Sequence, residues 1–289
     1  MSFVGILLAL LAERALGRAP GWGEPAVFPA MVAALQRWLD LPALWRSAIA
    51  PLLLIAPPVV LVAWLRSELV HPFVELTYSS AVLLLCLGPR DLADDVHALL
   101  RARAASDTAE VERLSRALMR GPEPEPTART LFGALFIQSH ERLFGVLIWF
   151  FVCGPAGALA YRLARTLPRT LRETQREATP AVHMAESIHG LLAWVPARAT
   201  ALLYGLGGSL DDALVEWRAL ENVPHEWHSH TWAILAQVPS ASLSQEEADG
   251  SVAVPASLDA NLGEVLRMQW RALLILLAFF AFFTTGAML

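Results

Sequence analysis

The stretch SAIAPLLLIAPPVVLVAWL, residues 47–65, lies between Arg46 and Arg66 and carries no charge over nineteen positions. As a helix it runs about 28 Å, close to the hydrocarbon thickness of a bilayer. Ten of its residues are Leu, Ile or Val, and at roughly −0.3 to −0.6 kcal/mol each they favour insertion by a few kcal/mol. Pro51, Pro57 and Pro58 predict a kink. A soluble fold could hide one such helix as a core element, but uncharged runs recur at Leu143 to Tyr161 and at Ala272 to Leu289, the latter with Phe279, Phe280, Phe282 and Phe283.

Composition agrees. Of 289 residues, 55% are apolar and 17% are charged, against roughly 25% charged in a soluble domain, and the mean hydropathy is +0.46. The sequence therefore predicts an all-α, polytopic transmembrane bundle. Its spans are read at 2–16, 47–65, 72–88, 143–164 and 271–289. Residues 187–208 are a further candidate, but Arg198 follows Pro196 in their middle, so the segment reads equally as a span or as a broken, re-entrant one. The apolar N-terminus reaches Glu13 and Arg14 before a full span is complete. It shows no clear basic leader or small-residue cleavage site, and is read as a short first helix with that pair near the interface.

Between 90 and 142 the chain turns polar. Leu92, Val96, Leu99 and Leu100 recur at helical spacing, and a second helix covers 108–119, giving an amphipathic hairpin outside the hydrocarbon followed by a proline-rich linker at 121–126. Seven arginines between 90 and 129 place this region on the cytoplasmic side of a bacterial inner membrane. Arg165, Arg169, Arg172 and Arg176 favour the cytoplasm too, yet one straight crossing at 143–164 sets them opposite. A re-entrant or kinked helix at 154–157 removes the conflict. A loop is expected at 239–255. The chain thus divides into N-terminal spans (1–88), polar hairpin and linker (89–141), motif-bearing membrane segments (142–208), an acidic loop region (209–269) and a final span (270–289).

Several function classes recede. The net charge of −5 gives no reason for a nucleic-acid partner. Cys86 and Cys153 sit in apolar segments and suggest neither disulfide nor metal site. There is no phosphate-binding P-loop, nucleophile elbow or triad spacing. His225-Glu226-Trp227-His228-Ser229-His230 gathers three histidines and a carboxylate, but these offsets do not share one helix face, and the run is read as a solvated loop. No cofactor, metal or catalytic residue is expected.

Two motifs stand out: Gly154-Pro155-Ala156-Gly157-Ala158-Leu159-Ala160-Tyr161-Arg162, followed by Thr166-Leu167, and Trp194-Val195-Pro196-Ala197-Arg198. Small residues let another backbone approach closely, and Pro155 breaks the helical ladder. Such a break lines a polar cavity or makes a tight helix crossing with an interfacial arginine. Arg198 either snorkels or pairs with a carboxylate or acidic ligand. The candidate ligand cavity comprises Glu13, Arg14, Glu141, Gly154, Pro155, Gly157, Tyr161, Arg162, Trp194, Pro196 and Arg198.

In this order, with Glu13-Arg14 ending the first helix, the motifs resemble the AmpE and CobD/CbiB membrane family, whose members carry GPxGAxxYR, a downstream TL pair and (I/V)PAR. The layout matches over essentially the whole chain. For the CobD/CbiB branch the resemblance implies a cobinamide-phosphate synthase, forming an amide between a corrinoid and an aminopropanol moiety with ATP. That branch also carries ESxAEN and LDDxxNxIPAR, where this chain reads QSHER at 138–142 and IHGLLAWVPAR at 188–198. His189 and Gly190 replace the aspartates, Ala193 replaces the asparagine, and Pro168 stands where the branch has an aspartate after its TL pair. ATP-driven amide synthesis generally uses carboxylates to hold Mg²⁺. The resemblance then implies the AmpE branch: an inner-membrane modulator or sensor in cell-wall recycling and β-lactamase regulation, partnered by AmpD or a muropeptide-like ligand, and open to oligomerisation. The synthase is the alternative.

Overall fold

A computed structural model describes residues 2–16, 27–87, 92–119, 127–175, 179–222, 227–243 and 258–286. Among them every element is a helix: α1 Ser2–Leu16, α2 Val27–Trp38, α3 Pro42–Arg46, α4 Ala50–Glu68, α5 Pro72–Leu87, α6 Leu92–Ala104, α7 Thr108–Leu118, α8 Ala128–Ser139, a π-helical segment His140–Phe144, α9 Gly145–Gln175, α10 Pro180–Gly207, α11 Leu210–Glu221, α12 Trp227–Ala241 and α13 Leu258–Gly286. Four runs are long and apolar enough to cross a membrane: α4, one beginning with α5 at Pro72, Thr130–Gln175 and Leu258–Thr284. The protein is an all-α polytopic membrane protein. Two expected spans form helices without joining these four. α1 has only 15 residues, about 22 Å of helix, and α10 carries His183, Glu186, His189 and Arg198 along its length.

The chain folds into two compact units, residues 1–89 with 145–194 and residues 90–144 with 195–289. In the first, Trp45, Leu54, Leu163, Leu167, Leu171 and Val182 centre a buried core. The Trp45 indole donates to Leu39 O at 2.7 Å, and Gln175 donates to Trp45 O at 2.7 Å, tying the end of α9 to α3. Val60, Leu61 and Trp64 of α4 and Phe73 and Val74 of α5 are exposed, as befits helices whose solvent is acyl chains.

The decisive local feature is Gly154, at φ 67° and ψ −157°, a region that essentially only glycine enters. It splits α9 into half-helices 145–153 and 155–175. Gly145 and Tyr161 would stand about 24 Å apart in a straight helix. Here a Cβ on Gly145 would lie 2.6 Å from the Tyr161 hydroxyl oxygen, and one on Gly157 would lie 2.5 Å from the Trp149 carbonyl. The halves therefore fold back on each other as a helical hairpin. At 154–157 the helix thus reverses its direction and does not merely bend. Tyr161 lies level with Gly145, and the arginine-rich segment continues beyond it.

Along α10, Ala181, Ala185, Ala193, Ala197, Ala201 and Gly205 recur every fourth residue and are all buried, with His189 on the same line. Such a ridge admits close helix neighbours.

In the second unit, α6 and α7 form the hairpin expected from Leu92, Val96 and Leu99, all buried. Asp107 caps α7, its side chain accepting from Glu110 N at 3.0 Å. α8 crosses α12 closely, and a Cβ on Gly133 would come within 2.9 Å of the Ala236 Cβ.

Residues 209–269, read as an acidic loop region, instead contain α11, α12 and the start of α13. Ser209 caps α11 by accepting from Asp212 N at 3.4 Å. Ala213 and Leu220 turn inward against Ala201, Ile234 and Val238, while Asp211 and Glu221 stay exposed. The acidic residues were the solvated face of a helix. The linker at 121–126, most of the loop at 239–255, and His225 and Glu226 of the histidine run lie outside the described residues.

Candidate functional site

In the first unit the helix break sits beside an ion pair. Nε and Nη2 of Arg66, near the end of α4, donate to Oε1 of Glu75, early in α5, at 3.2 and 3.1 Å. A Cβ at 154 would meet the Arg66 guanidinium, the movable end of a long side chain, so it is the backbone angle that requires glycine there. Arg66, Glu75, Ser79, Phe150, Gly154 and Pro155 line a recess with about 20 Å³ of open space, room for one water molecule. It is too small to receive a substrate.

Below the break, the α9 hairpin is braced against α10. Pro196 has no N–H, so the carbonyl four residues back, Leu192 O, loses its intrahelical donor. The Trp149 indole N–H supplies the missing bond at 2.8 Å. Tyr161 is fully buried, with its ring 6.0 Å from His189 at 57°.

In the second unit the polar run Ser139-His140-Glu141 enters the π-helical segment, where a local change of helical pitch re-aims side chains. Tyr204 donates to Ser139 Oγ at 2.7 Å, and its ring sits edge-on to Phe136 and Phe144. His140 is fully buried, with Nδ1 2.9 Å from Thr200 Oγ1. The Thr200 hydroxyl donates to Pro196 O at 2.7 Å. A hydroxyl has one proton, so at this contact His140 Nδ1 must be the donor.

The sequence-predicted site residues are dispersed within their units. Gly154 and Pro155 line the recess, and Gly157 and Tyr161 pack inside the α9 hairpin. Arg162 is half-buried near Cys86, Glu13 and Arg14 close α1, and Trp194 is 43% exposed. In the second unit Glu141 is buried in the π segment, Pro196 is buried, and half-buried Arg198 feels the charge of Glu221. Sequence reading missed Arg66, Glu75, Trp149, His140, Thr200 and Tyr204. The prolines were a usable signal for Trp149, because each buried proline leaves a carbonyl to be satisfied.

The magnesium nucleotide implied by the synthase resemblance can be tested against the residues present. Pro168, His189, Gly190 and Ala193 are all buried. They belong to the α9 and α10 segments that supply Leu163, Ala164, Leu167, Leu171 and Ala185 to the core, with Ile188 and Leu192 packed against it. Mg²⁺ requires oxygen ligands, and these positions supply none from their side chains. Glu186, the carboxylate of α10, instead pairs with Arg172 and His183. Among the described residues no three His, Cys, Asp or Glu side chains are grouped to hold a metal. The α9–α10 donor set does not fit the group.

Comparison with known proteins places these features. The CobD/Cbib protein family model matches residues 6–263. The chain is similar to the Cobalamin biosynthesis protein CobD of Chromobacterium violaceum, 30% identical over 235 residues, covering 77% of this chain and 73% of the relative. It is also similar to that of Stutzerimonas stutzeri, 29% identical over 224 residues, covering 75% and 73%. No solved structure matches. These relatives overturn the expected AmpE-like role in β-lactamase regulation and cell-wall recycling: loss of a few acidic residues outweighed the rest of the sequence in that reading, whereas similarity over three quarters of the chain points to the cobalamin proteins. A family match of this extent, over the same segments that build the α9 hairpin and the π segment, shows that the chain belongs to the CobD/CbiB family.

Proposed function

We propose that this chain serves cobalamin biosynthesis in a bacterial inner membrane, at a step that forms an amide on a corrinoid. The observation that supports this reading is the family match over residues 6–263, joined by two relatives named for cobalamin biosynthesis. The amide-forming step is what the motif resemblance implies, and the arginine bias of the α6–α7 hairpin supports the inner membrane. On this reading the π segment carries the chemistry. An amine that attacks an activated carboxyl sheds a proton as the C–N bond forms and the leaving group departs. An imidazole is a side chain able to take up such a proton. We assign that proton transfer to His140, which Thr200 orients through Nδ1.

Deleting the gene in its own host tests the reading. The expected result is loss of cobalamin-dependent growth, accumulation of a corrinoid lacking the amide-linked arm, and restoration by the intact gene. Unchanged cobalamin in the deletion strain would overturn it. Membrane fractionation should place the protein with inner-membrane markers.

A further inference from the structure

We infer that the α9–α10 joint of this chain is a packed structural brace that holds no magnesium nucleotide, although the family resemblance places acidic residues there. The inference concerns the same protein as the proposed corrinoid function but draws on different observations.

Three facts converge. First, positions 168, 190 and 193 bear proline, glycine and alanine, all buried, and Ala193 is 0% exposed. Their side chains supply no oxygen, and the remaining position, His189, sits against the Tyr161 ring. Second, the surroundings are filled. The core there is Leu163, Ala164, Leu167 and Leu171 from α9 with Ala181, Val182 and Ala185 from α10. A nucleotide phosphate would need a wet, cationic or amide-lined cleft, and the recess at the Gly154 break has room for one water only. Third, the joint has a mechanical role that replacement would disturb. Trp149 holds the carbonyl exposed by Pro196, and Ala193 sits on the small-residue ridge between His189 and Ala197. A carboxylate at 193 would be a charge inserted at a fully buried position.

The test uses the full chain in detergent and needs no corrinoid. Hydrogen exchange of peptides covering residues 161–193 is measured with and without saturating magnesium ATP, and no change is expected. Melting temperatures are compared for wild type, Ala193→Ser and Ala193→Asp. The serine variant should melt close to wild type, and the aspartate variant about 10 °C or more lower, because a buried unpaired carboxylate costs several kcal/mol. Magnesium-ATP-dependent protection of 161–193 would overturn the inference. So would an Ala193→Asp protein as stable as wild type, since only a hydrated cleft tolerates that charge. If the aspartate variant yields no folded protein, the wild-type exchange result decides alone. Failure of the gene-deletion experiment would count against the corrinoid reading and leave these measurements interpretable.

Discussion

Trp149 donates its indole N–H to the carbonyl oxygen of Leu192 at 2.8 Å, and that carbonyl is the one Pro196 leaves without a helical partner. The bond joins the first half of the α9 hairpin to α10. Trp149→Phe keeps an aromatic ring but removes the donor, leaving a part-buried carbonyl unmet at a cost of about 1–3 kcal/mol. Thermal unfolding in detergent should show a fall of several degrees. Restoring a backbone donor with Pro196→Ala should recover much of that loss, and equal melting of wild type and Trp149→Phe would refute the assignment.

Gly154 answers to two constraints that mutagenesis can separate. Any L-residue there is strained by about 1–3 kcal/mol at its backbone angles, and its Cβ also meets Arg66. Gly154→Ala should therefore lower the yield of folded protein sharply. Arg66→Ala in the same chain should recover part of the loss by removing the collision, without relieving the strain. A double-mutant cycle reads the coupling, and strict additivity would show that Arg66 is not pressed against the break.

How much of this was visible beforehand depends on distance along the chain. The spans at 47–65, 72–88 and 271–289 were legible because an uncharged helix of bilayer length is a local property, whereas 2–16 and 187–208 form helices that are too short or too polar to join them. The break at 154 was legible for the same reason, since Gly154 and Pro155 are adjacent. Its direction was not, because the reversal is expressed in the contact of Gly145 with Tyr161, sixteen residues away. The Arg66–Glu75 pair and the His140–Thr200 bond join separate helices and leave no spacing signature. α11 was misread because Asp211, Asp212 and Glu216 outweighed the inward Ala213 and Leu220. The departures at 168, 189, 190 and 193 suggested the wrong branch, because a residue change at a site says what that site has lost and little about what the whole protein descends from.

The close approach of α8 and α12 gives a third prediction. A Cβ at position 133 would come within 2.9 Å of the Ala236 Cβ, so Gly133→Val must push the helices apart. Overpacking of this kind costs about 1–3 kcal/mol. The melting temperature should fall, and Ala236→Gly should compensate by clearing the facing methyl. A Gly133→Val protein as stable as wild type would mean that the two helices are not held at this distance.

The last prediction separates orientation from bulk at His140. Thr200 accepts from His140 Nδ1 while donating to Pro196 O. Thr200→Val preserves shape but leaves the imidazole N–H facing a methyl group, so the ring loses its fixed tautomer and a buried donor goes unmet, at about 1–3 kcal/mol. Thr200→Ser keeps the hydroxyl and should behave like wild type. In a gene-deletion strain, the proposed proton-accepting role predicts that His140→Ala fails to restore cobalamin-dependent growth, that Thr200→Val restores it poorly, and that Thr200→Ser restores it fully. If His140→Ala is expressed in the membrane at normal level and restores growth, the imidazole has no part in the reaction, and its bond to Thr200 serves only to hold the π segment against α10.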